Sequence, residues 1–385
     1  MQEPKALAPS ARRTNMLHLL IGALLTILAL EQYMFRLRAR LDRGPSHTVE
    51  DGLSQSGKQK HSDRLTKPRM NKLEPPEAKI PKWKMKLCHV KGRPLGKPDL
   101  QGLPVSFPSK VSAEDIFVHR KNFMKLHTED LINNLNLLYK NATEINKMYK
   151  WESCAVVGNS GNMRFSSFGE AINSHTVVLR TNQAPVEGYR THVGSKTTFR
   201  MLNSLWTFRY INMKEILVER AEENPKMPLE PGVTLLLSRV SGAQFDDMAM
   251  AVRHQRKDVK VLLVSSRGIS AARRLLAGYR DRLCRAGYGP YLGGSTPSSG
   301  FVSVYLMMQL CERLTLYGFG SRDDTGRKAK YHYYKGFGAR NFGTVREDGS
   351  PVHCWEAELE VLEALSRNGK ITICRASKGN TTDSR

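Results

Sequence analysis

The stretch from Cys154 to Arg200 constrains this chain most. It sets two short apolar runs, residues 154–157 and 176–179, around a glycine-rich polar turn, Gly158-Asn159-Ser160-Gly161-Asn162. Runs this short and this apolar suit strands buried on both faces of a parallel sheet. The first run opens into the glycine turn, whose backbone amides can face an anion; the second ends at Arg180 and delivers Asn182. In an open α/β sheet, ligands bind beyond the carboxyl ends of the strands, so both polar turns converge on one crevice suited to a phosphate-bearing ligand. An ordinary strand-turn-helix corner would use the same residues, and these two turns alone do not separate the readings.

Further apolar runs at residues 233–237, 259–264, 314–317 and 371–374, with helical patterns between several of them, predict an α/β domain. Its sheet is parallel or mixed and covered on both faces. The spacing of Ile116, Phe117, Phe123, Leu126, Leu131, Leu135 and Leu138 predicts helix at the start of the folded part, after Pro108. Upstream, residues 16–30 read MLHLLIGALLTILAL, and with residues 31–35 they approach the roughly 20 residues of a membrane span. A cleaved signal peptide competes with this reading, but Glu31-Gln32-Tyr33-Met34-Phe35 is too bulky for a cleavage site. The expected organisation is a tail at 1–15, a signal anchor at 16–35, a flexible Ser/Lys/Pro/Gly-rich stem at 36–108 and a catalytic domain at 109–385. Basic residues flank both ends of the span (Lys5, Arg12 and Arg13; Arg36, Arg38, Arg40 and Arg43), so charge leaves its orientation open. The net charge of +24 suits an acidic partner: a nucleotide sugar, a nucleic acid or an anionic membrane. Many of the basic residues sit in the anchor flanks and stem, which disfavours a nucleic-acid-binding face.

Six cysteines, Cys88, Cys154, Cys284, Cys311, Cys354 and Cys374, include no Cys-x-x-Cys pair and no metal-type histidine spacing, which argues against zinc. Behind an anchor, an even count points to disulfides in a secretory lumen, with buried free thiols as the alternative. The sequons at Asn141 and Asn380 fit a lumenal glycoprotein. A second constellation, Ser295-Thr296-Pro297-Ser298-Ser299-Gly300, leads into an apolar helical run over 301–310 that ends at Cys311. Ser298 or Ser299 can cap that helix, and Gly300 permits close approach. Its free amides and dipole favour a carboxylate or phosphate, although capping by itself needs no ligand. A third comprises His332-Tyr333-Tyr334 and the later His353-Cys354-Trp355-Glu356-Ala357-Glu358. Imidazole takes a proton near neutral pH and a carboxylate can orient it; Glu358 falls in the first turn of a helix expected over 355–366 and can reach the crevice.

In this order the pieces resemble the eukaryotic sialyltransferase family across residues 150–374. The large sialyl motif matches residues 154–200, and the small motif runs from Pro297-Ser298-Ser299-Gly300 through Cys311 to Gly318. The third motif matches His332-Tyr333-Tyr334, and the very small motif, His-x-x-x-x-Glu, matches His353 and Glu358. The phrases VVGNSGN and NQAPVEGY are similar to the galactoside alpha-2,3 branch. The resemblance implies a variant GT-A, Rossmann-like fold with a mostly parallel sheet, in the single lumenal catalytic domain of a Golgi type II membrane protein. It implies inverting, metal-independent transfer of sialic acid from a CMP-sialic acid donor to a glycan acceptor, with no cofactor. By the resemblance, Asn159 and Asn182 hold nucleotide and phosphate, with Ser160 and Gly161 shaping the turn. Ser298, Ser299, Gly300 and Tyr333 contact the donor, His332 binds the leaving phosphate, and His353 is the general base. It also implies a Cys154–Cys311 disulfide and an outer Cys88–Cys374 clasp, leaving Cys284 and Cys354 over. Two positions depart from the family: Asn173 stands where aspartate is common, and Lys335 where an acidic or polar residue is. The alternatives are a donor such as CMP-Kdo, as in plant and algal relatives, or a glycan-binding Golgi protein without catalysis.

Overall fold

Helices cover both faces of the sheet, and that is why most of its strands are short and carry apolar runs. The computed structural model describes residues 105, 111–126, 134–212, 229–320, 329–334 and 351–375. All of these fall in one compact unit, Pro76–Arg385. The expected anchor, Cys88, Lys335 and Asn380 lie outside the described residues, as does the expected stem apart from Val105. Among the described residues no helix is long and apolar enough to cross a membrane.

Eight strands form one sheet among the described residues: β1 (Phe117–Val118), β2 (Ser153–Val157), β3 (Val177–Thr181), β4 (Phe199–Asn203), β5 (Thr234–Ser238), β6 (Lys260–Val264), β7 (Arg313–Tyr317) and β8 (Thr372–Cys374). Their order is β1-β6-β5-β4-β3-β2-β7-β8, and every neighbouring pair is parallel except β1 with β6. The helices are α1 (Ala142–Asn146), α2 (Gly169–Asn173), α3 (Arg190–Val193), α4 (Ser204–Ile211), α5 (Gly242–Gln255), α6 (Ser266–Arg285), α7 (Ser299–Leu310) and α8 (Trp355–Arg367). The α/β expectation holds, with two corrections to the elements. Phe117 and Val118, read as part of a helix, pair antiparallel with Val264 and Leu263, because capping the sheet edge buries both side chains. The β4 strand had no apolar run to announce it, since Arg200 stands at its second position.

Alternation along the strands divides the core. In β2, Cys154 and Val156 pack with Phe301, Val302 and Val304 of α7, while Ala155 and Val157 pack with Ile172 of α2 and Val193 of α3. In β5, Leu236 joins the α7 side, and Leu235 and Leu237 join Trp206 of α4 and Phe245 of α5. Phe301 through Met307 are all buried, as expected for a helix apolar all round and enclosed by the sheet and neighbouring helices. Each fully buried Leu, Val or Phe contributes roughly 1.5–3 kcal/mol.

From β2 the chain steps outward through β3, β4, β5 and β6, then returns to lay β7 on the other side of β2, with β8 beyond it. The strand order therefore reverses between β2 and β7, and a crevice opens at their carboxyl ends. The disulfide Cys154–Cys311 ties β2 to the end of α7 across a sequence separation of 157 residues. Loop closure on that scale contributes about 3–5 kcal/mol. The expected Cys88–Cys374 clasp is not formed. The Cys374 thiol is free, and its sulfur accepts a hydrogen bond from the Tyr317 hydroxyl within the packing beside β7. Cys284, at the end of α6, is disulfide-bonded, and Cys354 is free and buried. Asn141 caps α1, its Oδ1 accepting from Glu144 N at 2.9 Å.

Candidate active site

The glycine turn after β2 is held against the turn after β7 by main chain. Gly158 N donates to Tyr317 O (2.7 Å), Ser160 N to Gly318 O (3.3 Å) and Gly161 N to Lys330 O (2.9 Å). A Cβ at Gly158 would collide with the carbonyl oxygen of Gly318, one at Gly161 with that of Lys330, and Gly318 itself has φ of 72°. Ser160 shapes the turn as expected. Its hydroxyl donates to Gly320 O (2.6 Å) and accepts from Asn162 N (3.2 Å). Asn162 Nδ2 adds a bond to Phe319 O (3.2 Å). The Asn159 side chain makes only long contacts among the described residues, from Nδ2 to Thr181 O and the Tyr334 hydroxyl (3.5 Å each) and from Thr181 Oγ1 to its Oδ1 (3.4 Å). Such lengths are weak bonds, which leaves the amide able to serve a ligand.

Asn182, just past β3, has φ of 52°, in the left-handed region. Its carbonyl accepts from Arg200 Nη1 (2.6 Å), which also donates to Ala184 O (3.1 Å). Arg200 is fully buried and paired with Glu230. Burial pushes the Glu230 carboxyl up, yet the guanidinium beside it wins and holds it below its usual range. Asn182 Oδ1 accepts from Asn203 N (3.3 Å), and Asn203 caps α4 through Trp206 N (3.0 Å) and reaches Ser299 Oγ with Nδ2 (3.5 Å). The two asparagine turns and the serine-capped helix therefore adjoin one another at the sheet edge.

Ser298 is the N-cap of α7, its hydroxyl accepting from Phe301 N (3.1 Å). Gly300 lies in the first turn with the Phe319 ring 3.2 Å from where its Cβ would be. Glu358 grips the cap: Ser298 N donates to Oε1 (2.7 Å) and Ser298 Oγ to Oε2 (2.6 Å). Burial pushes the Glu358 carboxyl up to about 7, against the pull of these two bonds and of Arg239. Arg239 directly follows β5 with φ of 60°, donating to Pro297 O and Ser299 Oγ (2.9 Å each), while its buried Nε has no partner among the described residues. Burial pulls this guanidinium below its ordinary value, with Glu358 opposing.

The two histidines meet the crevice through a series of rings. His332 stacks on Tyr334 (centroids 4.8 Å, planes 10° apart) and lies against Tyr331 (4.4 Å); Tyr331 meets Trp355 edge-on (6.0 Å), and Trp355 meets His353 (5.1 Å). Tyr334 in turn touches Asn159, which closes the circuit of contacts around the crevice. Burial alone drives His332 down to about 4. His353 bonds Thr296 O through Nδ1 at 2.7 Å; a carbonyl can only accept, so Nδ1 carries the proton and Nε2 keeps its lone pair. Burial lowers the His353 pKa, the Thr296 carbonyl opposing. Gly293, at φ of 125°, braces its backbone, since a Cβ there would collide with His353 O.

Three expectations change in detail. The carboxylate expected to orient His353 instead clamps Ser298, and the carbonyl of Thr296 orients the imidazole. Both members of the His-x-x-x-x-Glu pattern thus grip the 296–298 segment. Tyr333, expected on the donor, is 1% exposed, with its hydroxyl on Pro185 O (2.7 Å) and its N–H on Asn159 O (3.1 Å), so it supports the wall from inside. Asn173, the departure from the aspartate pattern, accepts from Ser195 N (2.8 Å) and Lys196 N (2.9 Å) through Oδ1, an atom that aspartate shares. Sequence reasoning missed Thr181, Asn203 and Arg239. All three sit at carboxyl ends of strands, and a polar residue closing an apolar run is the signal that could have found Arg239.

The sequence profile of glycosyltransferase family 29 (sialyltransferase) matches residues 108–370. The chain is 33% identical over 226 residues to CMP-N-acetylneuraminate-beta-galactosamide-alpha-2,3-sialyltransferase 1 of Pan troglodytes, covering 57% of this chain. It spans 57% of that relative's length. It is 30% identical over 269 residues to the Sus scrofa protein of the same name, covering 66% of this chain and 69% of that one. The crystal structure of a mammalian sialyltransferase in complex with Gal-beta-1-3GalNAc-ortho-nitrophenol is 21% identical, covering 75% of this chain and 100% of that one, with a TM-score of 0.44.

Proposed function

Because the chain belongs to glycosyltransferase family 29, the sialyltransferases, we propose that it transfers sialic acid from CMP-sialic acid to a terminal galactose of a glycoprotein or glycolipid glycan, with inversion. The observation that carries this reading is the circuit of contacts linking Asn159, Ser299, His332 and His353 around one crevice at the strand-order reversal. Asn159 and Asn182 hold the cytidine monophosphate. The free amides at the start of α7 and the Arg239 guanidinium supply positive potential for its phosphate. CMP is already an acidic leaving group, so the chemistry asks for phosphate stabilisation and removal of one acceptor proton. The acceptor oxygen attacks the anomeric carbon as its proton passes to His353 Nε2. The bond to the phosphate oxygen breaks, and CMP leaves with the electron pair beside His332. Burial keeps His353 neutral near pH 7, the form a base requires. Residues 1–15, 16–35 and 36–108 form the tail, signal anchor and stem of a Golgi type II protein whose lumenal domain, 109–385, carries glycans at Asn141 and Asn380.

The test is His353→Ala in the full chain, purified in detergent and assayed with CMP-sialic acid and a galactoside panel. Transfer falls about 10²- to 10⁴-fold while CMP binding persists; equal transfer by the variant overturns the base assignment. Offering CMP-Kdo beside CMP-sialic acid, with the product weighed by mass spectrometry, decides the donor.

A further inference from the structure

Two large aromatic side chains on the rim of the crevice are exposed: Tyr331 at 53% and Trp355 at 45%. Exposed rings need explanation when they cluster. These two meet edge-on at 6.0 Å, and each contacts one candidate histidine, Tyr331 with His332 (4.4 Å) and Trp355 with His353 (5.1 Å). Trp355 is the first residue of α8, whose buried face is formed by Ala357, Glu358, Val361, Leu362, Ala364 and Leu365, so its ring adds nothing to the helix core. Nor does it orient the base. The Thr296 carbonyl does that, with Gly293 bracing the backbone behind it.

We infer that Trp355 is a stacking platform for the pyranose ring of the acceptor and that Tyr331, its plane 75° away, flanks the platform as a wall, a subsite that takes the apolar face of a β-galactoside. The inference rests on the transferase reading above and adds the acceptor's seat to it. An aromatic ring offers a flat apolar surface with a negative face, suited to polarised C–H groups. Galactopyranose has an axial 4-hydroxyl on one side, which leaves the opposite side lined by C–H. Laid on the Trp355 ring by that side and against Tyr331 by its edge, the sugar presents its hydroxyls edge-on, where His353 Nε2 can take a proton. A rigid ring supplies this contact area with little side-chain entropy to lose.

The experiment uses the full chain in detergent, with lactose as the acceptor probe and CMP as the donor-side probe. Trp355→Ala raises the KM for lactose about tenfold, the loss expected of one aromatic stacking contact. CMP affinity and the pH dependence of the rate stay as in the parent protein, and Trp355→Phe, which keeps a ring, recovers most of the loss. Lactose added to the CMP-bound parent changes its tryptophan fluorescence, and Trp355→Phe loses that change while still turning over. Unchanged lactose KM in both Trp355→Ala and Tyr331→Leu overturns the platform. So does a lowered kcat with a shifted pH profile, which would make Trp355 a support for His353. Should Trp355→Ala not fold, Tyr331→Leu and the fluorescence of the parent decide, absence of a lactose response counting against the platform. A parent protein that fails to bind CMP would instead defeat the donor reading.

Discussion

The wall formed by the ends of β2 and β7 is held by main chain, whereas the wall carrying His332 and His353 adds ring and side-chain contacts to its main-chain bonds. On the first, Gly158 and Gly318 bring backbones together so closely that no Cβ fits, and two N–H groups, those of Gly158 and Ser160, bond across the gap. On the second, Gly161 N and Tyr333 N bond Lys330 O and Asn159 O, rings touch in series from Tyr334 to His353, one bond to Thr296 fixes the imidazole and two from Ser298 fix the carboxylate. A wall of interlocked backbone tolerates no substitution but keeps its shape without a ligand. A wall of rings and buried titratable groups can change charge when a ligand arrives.

The largest effect expected from that contrast is on the backbone wall. Gly158→Ala forces two chains apart and costs about 3 kcal/mol or more in urea denaturation, a substantial share of a domain's stability. A cost below about 1 kcal/mol would mean the turns yield as easily as the rings. On the other wall, Glu358 with its pKa near 7 makes stability depend on pH. The folded chain holds its proton between the unfolded value of 4.5 and about 7, so this contribution is present at low pH and fades as pH rises through that window. Glu358→Gln should flatten the decline between pH 5 and 8 by on the order of 1–3 kcal/mol, read from denaturation midpoints. A variant that declines as steeply as the parent assigns the proton elsewhere.

His332 sharpens the same point on binding. Neutral in the empty crevice because burial holds it near 4, it gains a reason to protonate when a phosphate settles beside it. CMP affinity should then strengthen toward acid by up to about tenfold per pH unit, with proton uptake visible by calorimetry in buffers of different ionisation heat. His332→Gln should remove the slope; a slope that survives transfers the role to another group. The smallest effect is at Gly300, where an alanine Cβ meets only the edge of the Phe319 ring. Better helix propensity offsets the ring's shift, leaving Gly300→Ala within about 1 kcal/mol of the parent.

Sequence reading found the strands that carry an apolar run, β7 and β8 among them, and missed the two that do not. The β2, β3, β5 and β6 runs announce themselves because both faces are buried, while β4 carries Arg200 and β1 has only Phe117 and Val118 to pair. The same division holds at the site. Asn159, Ser160, Gly161 and Ser298 belong to local turns and caps whose chemistry is written in adjacent residues. Arg239, Asn203 and Thr181 gain their meaning only from partners far along the chain.

Composition and local pattern alone determined the layered α/β architecture, the two asparagine turns and the capped helix, because hydrophobic period and turn chemistry are short-range properties. Only the tertiary structure decided that Glu358 holds Ser298 while Thr296 orients His353, that Tyr333 faces inward, and that Cys374 stays a thiol. Each depends on which side chains the strand order brings within reach of one another, and no local pattern encodes a distance between residues so far apart in the chain.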